Sequence, residues 1–406
     1  MPQDISSRTL WIILGSACLL GFAIYAPMYC VPPMEHILRE KLSLTYTQVS
    51  LLYTGPILAA VAVSIPAGLF ADRIGVRKAA GIGIIVVVIG TMLRGTATDP
   101  TSLLFYTFVY GIGLGWTFPN LPKLVSTWIP AEKTGMATGI YTSGIIAGGA
   151  LALGVTNSLV FPITNTFQGV FFIWSIIPLV VAILWWTLVI EPPHDIGHVK
   201  TTSVNTALFS QVLRNRNIWL VSVLFFLHNF FFISWFGWTP ALMSTKGATS
   251  GLAGLITSVT QWVSIPSVLL MPRLSDKLGL RKPFLWVSSI MLAFLTWWTI
   301  EASLSMSWLL VALVGITNST RFVTILALPV EMVPKEEVGT ATGLVLLGNI
   351  GGVIGPLIIG SILDLTGRLD LSFLLLVGVS IVTAGITFML PETGQKQITG
   401  SGESPG

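Results

Sequence analysis

The chain has 406 residues, of which 53% are hydrophobic and 9% charged, with a formal net charge of +4. Soluble domains carry about a quarter charged residues, so this composition excludes a water-soluble globule and marks a polytopic membrane protein. Its 21 basic residues are scattered over short loops rather than gathered on one stripe, which argues against a nucleic-acid partner.

Taken in order, apolar runs of the length the bilayer demands predict twelve transmembrane helices, near 10–31, 46–71, 79–97, 102–129, 134–160, 167–190, 217–243, 251–274, 283–303, 306–332, 338–363 and 371–390. Helices are required because the alternating pattern of a membrane barrel is missing and an open sheet cannot cross lipid. The first run lacks a clear small-residue cleavage site and reads as an uncleaved span. Its two cysteines, Cys18 and Cys30, are about 18 Å apart along a helix, too far for a disulfide.

Twelve spans put both termini on one side, and basic residues choose the side. With the termini inside, 14 basic residues are cytoplasmic and five, Arg39, Lys41, Arg94, Lys246 and Arg368, fall outside, so the termini are expected in the cytoplasm of a plasma membrane. The longest polar interruption follows the sixth run. It predicts a six-helix bundle over 1–191, a cytoplasmic linker over 192–216, a second bundle over 217–391 and a cytoplasmic tail over 392–406. His194 and His198 in the linker have the spacing of a helical metal pair, but Pro192, Pro193 and Gly197 oppose a helix and no further ligand is near, so no metal site is expected.

A repeat ties the halves together. The stretch GLFADRIGVRK, Gly68 to Lys78, recurs 204 residues later as MPRLSDKLGLRKP, which aligns Asp72, Gly75, Arg77 and Lys78 with Asp276, Gly279, Arg281 and Lys282. The same offset aligns Pro130, Gly135, Ala137, Thr138 and Gly139 with Pro334, Gly339, Ala341, Thr342 and Gly343. Internal repeats of this kind are found in transporter folds. The glycine-rich runs at Gly111 to Trp116 and Gly144 to Gly154 lie inside apolar spans with no preceding strand, so they read as close helix packing and not as phosphate loops. Asn318-Ser319-Thr320 matches a glycosylation sequon only by chance, being inside a span.

Twelve spans, a central basic linker and the loop residues Gly68, Asp72, Arg73, Gly75, Arg77 and Lys78 together resemble the major facilitator superfamily of transporters over nearly the whole chain. The run WIPAEKTGMATGIYTSG is similar to organic-anion members and the cyanate permease-like branch. The glycine series of the fifth span, Gly139, Gly144, Gly148 and Gly149, departs from the antiporter signature in lacking its proline, which counts against a proton-driven drug exporter. The resemblance implies an all-α membrane fold of two pseudo-symmetric six-helix bundles around a central site opened alternately to each side. It also implies a cytoplasmic gate built from Asp72, Arg73, Gly75, Arg77, Asp276 and Arg281. In it Asp72 faces the N-terminus of the eleventh helix near Glu337, and Asp276 that of the fifth near Lys133. The bland alternative is that these charges only anchor topology.

Ionisable groups inside spans are costly and mark pathways. Arg321, His228 and Lys123 lie within the tenth, seventh and fourth spans, which the resemblance places around the cavity, and none of the 17 carboxylates lies at mid-membrane. A fixed positive charge without a fixed negative one selects anions, and the planar fork of Arg321 suits a carboxylate. His228 is the one mid-span group that titrates near neutrality, which makes it the proton-coupling candidate. By helical spacing Asn318 shares a face with Arg321, Trp235 with His228, and Trp116 and Asn120 with Lys123, near Pro119 and Pro122. Lys123 either faces the cavity or snorkels to the surface. Tyr25, Tyr29, Tyr53 and Gln261 complete the candidate binding set, with interhelical packing as the alternative for each. The expectation is therefore a monomeric secondary transporter of a small mono- or dicarboxylate in a lipid bilayer, with a proton as the candidate co-transported ion. It is not an enzyme and uses no cofactor. An exporter of a neutral or cationic compound and a nontransporting sensor are the alternatives.

Overall fold

The computed structural model describes residues 7–129, 134–190, 206–334 and 337–394. His194, His198 and Lys133, with most of the expected linker and tail, lie outside the described residues. Among the described residues eleven helices are long and apolar enough to cross a membrane.

Local chemistry sets where these helices begin and end. The second span, Tyr46–Ile74, starts at a capping box in which Gln48 N donates to Thr45 Oγ1 at 3.1 Å and Thr45 N donates to Gln48 Oε1 at 2.9 Å. The fourth, beginning at Pro100, is capped by Asp99, whose carboxylate accepts from Thr101 N and Ser102 N at 2.9 and 3.0 Å. The bond from Ser102 N, followed by its hydroxyl, holds that carboxyl below the usual carboxylate range. Both copies of the loop motif turn on a glycine in a conformation that side chains disfavour, Gly75 at φ 91° and Gly279 at φ 63°.

Two expectations change. The fourth span is not one helix over 102–129 but two, Pro100–Thr117 and Asn120–Trp128, because Pro119 interrupts the ladder. The first span, Ser7–Tyr29, is followed by a 3-10 turn at Pro32–Met34 and a short helix, Glu35–Leu42, where only a connection was expected.

The described residues fall into two compact units, one within Met1–Lys200 and Thr239–Trp262, the other within Thr201–Trp238 and Val263–Gly406. In the first unit the glycine-rich fifth span, Thr134–Val155, lies directly on the first. A Cβ at Gly144 would strike the carbonyl oxygen of Cys18, and one at Gly148 that of Phe22. In the second unit Gly348 packs in the same way on the seventh span, Arg216–Thr245, where a Cβ would come within 2.9 Å of Ser222 O and 2.7 Å of Phe226 N. Gly144 and Gly348 stand 204 residues apart, as do Cys18 and Ser222, so the repeat read from the loops extends to the packing. Small residues let helix backbones approach this closely where lipid offers no hydrophobic drive for association. Beside the Gly348 contact, Val221, Leu224 and Phe225 of the seventh span share a buried cluster with Ile325 and Leu328 of the tenth, Leu304–Met332. That cluster fixes the two helices on which the polar site of the second unit is built.

Candidate functional site

One turn along from this cluster, the tenth span carries Arg321, fully buried at 0% exposure. Its Nε donates to His228 Nδ1 at 3.3 Å and its Nη2 to Asn318 Oδ1 at 3.4 Å. Both bonds are longer than the common 2.7–3.2 Å range, and Nη1 has no partner. The guanidinium carbon stands 5.1 Å above the ring of Phe231, within cation–π range. Ion pairs among the described residues engage Arg39, Lys123, Arg281 and Arg368, and no carboxylate reaches Arg321. A buried cation left with neutral, stretched partners is costly, and its open N–H groups suit an incoming anion.

His228, 1% exposed, is set in rings: Phe322 at 5.3 Å, Phe232 at 5.8 Å and Phe225 at 6.2 Å between centroids. Its Nδ1 accepts a bond, so that nitrogen carries no proton here. Trp235 forms the layer behind, stacked 5.8 Å from Phe231 and edge-on to Phe373. The structure thus brings Arg321, His228 and Asn318 together and backs them with Trp235.

A second polar group lies in the first unit. Tyr25 stacks on Tyr29 at 6.3 Å and meets Phe118 edge-on at 6.1 Å. Gln261, 2% exposed, is packed against Gly149, where a Cβ would come within 2.7 Å of its Nε2 and 3.0 Å of Tyr29 Cδ2. Asn120 is buried beside the helix break and donates to Trp116 O at 2.7 Å, so these two meet across the interruption and not along a continuous helix. Tyr53 is buried in the second span.

Lys123 is committed to Asp72, at 2.8 Å, and to Gly68 O, at 3.0 Å. Arg73 beside it is exposed. Arg77 donates to Trp186 O at 2.9 Å while Trp185 Nε1 donates back to Arg77 O at 2.9 Å. The repeat of this loop uses acids instead. Arg281 binds Asp276 at 2.5 Å, Glu331 at 2.7 Å and Ser275 Oγ at 2.6 Å, and Thr393 Oγ1 donates to the other oxygen of Glu331 at 2.7 Å. Burial weakens the Arg281 guanidinium's hold on its proton, but its bonds to Glu331 and Asp276 outweigh this and raise its pKa above the ordinary arginine value. The carboxylate of Glu392 accepts from the backbone N–H of Arg281 at 2.7 Å and of Lys282 at 3.1 Å, at the start of the ninth span, Lys282–Glu301.

Arg94, near the end of the third run, is fully buried, with Nη1 donating to Pro27 O at 2.8 Å and its guanidinium 4.2 Å from the Phe171 ring and 5.4 Å from that of Tyr110. Tyr110 in turn donates to Ile24 O, so two side chains hold the last turns of the first span, where Tyr25 and Tyr29 sit.

Long apolar helices, a repeat expressed in both loops and packing, and unpaired polar groups buried within the spans define a polytopic membrane transport protein. The chain belongs to the Major Facilitator Superfamily, which it matches over residues 17–252 and 239–405. It is 25% identical to a probable sulfoacetate transporter of Cupriavidus necator over 92% of each chain. It is 28% identical to a gentisate transporter of Corynebacterium glutamicum over 73% of this chain and 68% of that one. Its fold matches a crystal structure of a bacterial homologue of the human lysosomal transporter Spinster, with TM-score 0.79 and 17% identity over 99% of this chain and 100% of that one. The protein is therefore an integral membrane transporter and not an enzyme.

Proposed function

We propose that the protein moves a small organic anion, a mono- or dicarboxylate, across the plasma membrane by alternating access, with Arg321 as the anchor. The observation that carries this is the buried guanidinium of Arg321, which meets only neutral groups and keeps Nη1 open. Relatives named for sulfoacetate and gentisate, both anions, support it. His228, Asn318 and Trp235 complete the site beside Arg321. His228 is the group through which a proton is co-transported, and the protein works as a monomer with both termini in the cytoplasm.

Thermal-shift measurements on the purified protein test the reading, because a ligand that binds only the folded state raises its apparent stability. Sodium salts of mono- and dicarboxylic acids are compared with sugars and amines. Stabilisation by a carboxylate is expected, weakened about ten-fold or more in Arg321→Lys, which keeps the charge and loses the fork. Stabilisation by a sugar or an amine alone, equal in both proteins, would sink it.

A further inference from the structure

We infer that the Arg321 site selects a monoanion with a flat apolar body, the chemistry of an aromatic monocarboxylate, and rejects dicarboxylates. The inference rests on the anion reading above and narrows it.

Charge decides the first part. A monoanion brings the buried Arg321 to neutrality, whereas a dianion leaves one charge without a partner in a low-dielectric interior. Among the described residues of the second unit nothing supplies that partner. Arg281 is held by Asp276 and Glu331, and Lys282 Nζ is taken up by Phe388 O and Leu390 O at 2.9 and 3.0 Å. Arg214, Arg216, Arg273, Lys277 and Arg368 are exposed. In the first unit Lys123 is spent on Asp72, and Arg94, which gives Nη1 to Pro27 O and leaves Nε and Nη2 without a partner, belongs to that unit and not to the Arg321 site.

Shape decides the second. Nη1 is open and Nη2 holds only a 3.4 Å bond, so the outer edge of the guanidinium is available to both oxygens of one carboxylate. Phe231 lies beneath the guanidinium and Asn318 Oδ1 stands at Nη2, while Phe225, Phe232 and Phe322 surround His228, which meets Nε. Aromatic faces and edges take another ring by offset or edge-on stacking. They offer nothing to a second carboxylate or to a sugar acid with many hydroxyls, whose polar groups would lose water without replacement.

The test measures binding of benzoate, cyclohexanecarboxylate, acetate and succinate to the purified full chain in detergent. Benzoate is expected to bind about ten-fold tighter than acetate, and tighter than cyclohexanecarboxylate, through ring stacking, with succinate weakest. Phe231→Leu, checked for folding by gel filtration, should narrow the gap between benzoate and acetate, and Phe322→Leu serves if that variant does not fold. Tighter binding of succinate than benzoate, abolished by Arg321→Lys, would overturn this inference and leave Arg321 as the anion anchor. Equal binding of benzoate and acetate would also overturn it. Absence of binding by every carboxylate would overturn the anion reading itself.

Discussion

Arg321 Nε and His228 Nδ1 meet at 3.3 Å, which joins the tenth span to the seventh through a donor that cannot be withdrawn and an acceptor that titrates. While this bond stands, Nδ1 is not open to a proton. If a carboxylate draws the guanidinium away, that nitrogen is freed and gains an acceptor, and anion and proton are then expected to reinforce each other's binding. His228→Gln keeps a hydrogen-bonding group and removes the titration. In proteoliposomes the variant should still exchange labelled for unlabelled carboxylate but should not accumulate it when a pH difference is the sole driving force. Undiminished accumulation rules His228 out as the proton carrier.

The pair formed by Asp72 and Lys123 is half-exposed, with side-chain exposures of 47% and 37%. Pairs in such surroundings contribute about 0.2–1 kcal/mol. A double-mutant cycle of Asp72→Asn and Lys123→Gln, followed by unfolding in detergent, should return a coupling energy in that range. A value above about 2 kcal/mol would show that the pair is shielded from solvent far better than its exposure indicates.

Glu392 matters through the backbone. Its carboxylate accepts from the N–H groups of Arg281, Lys282, Thr393 and Gly394, all between 2.7 and 3.1 Å. Glu392→Ala strips the N-terminal cap from the ninth span and should cost about 1–2 kcal/mol, seen as a lowered unfolding temperature. Glu392→Gln, which keeps an acceptor oxygen, should recover part of the loss, and equal losses in the two variants would refute the capping role.

Gly144→Val places a side chain where Cys18 O already lies, and the first and fifth spans must part. Loss of monodisperse protein on fluorescence-detected gel filtration is expected. Gly135→Val, at a position with nothing within 4 Å of the added Cβ, serves as the control and should behave as the native protein does.

The helices were legible because a spanning run must be apolar throughout, and the halves because Asp72, Gly75 and Arg77 repeat at one offset as Asp276, Gly279 and Arg281. Arg321 and Asn318 were legible because three residues along a helix bring side chains to one face. What pairing requires was not. Lys123 looked like a cavity residue or a snorkelling one, and only the fold puts Asp72, 51 residues away in sequence, within 2.8 Å of it. Arg94 lies near the end of the run 79–97, and its position there gives no sign of a partner. The want it answers belongs to Pro27 O, left over as the first span ends, and that carbonyl leaves no trace in the order of residues. The two copies of the loop motif look alike in sequence, yet Arg77 is held by Trp186 and Arg281 by Glu331, because the partners come from other spans.

The cap that Glu392 places on the ninth span joins residues 111 apart in the chain. A ribosome makes the ninth helix long before it makes its cap, so that helix keeps its first N–H groups open until residue 392 has been added. Closure of the ninth span's entrance thus waits on residue 392: a chain cut between Phe388 and Glu392 carries every described span and lacks the clasp. A fusion placed after Gly394 leaves the clasp intact where one placed before Glu392 removes it.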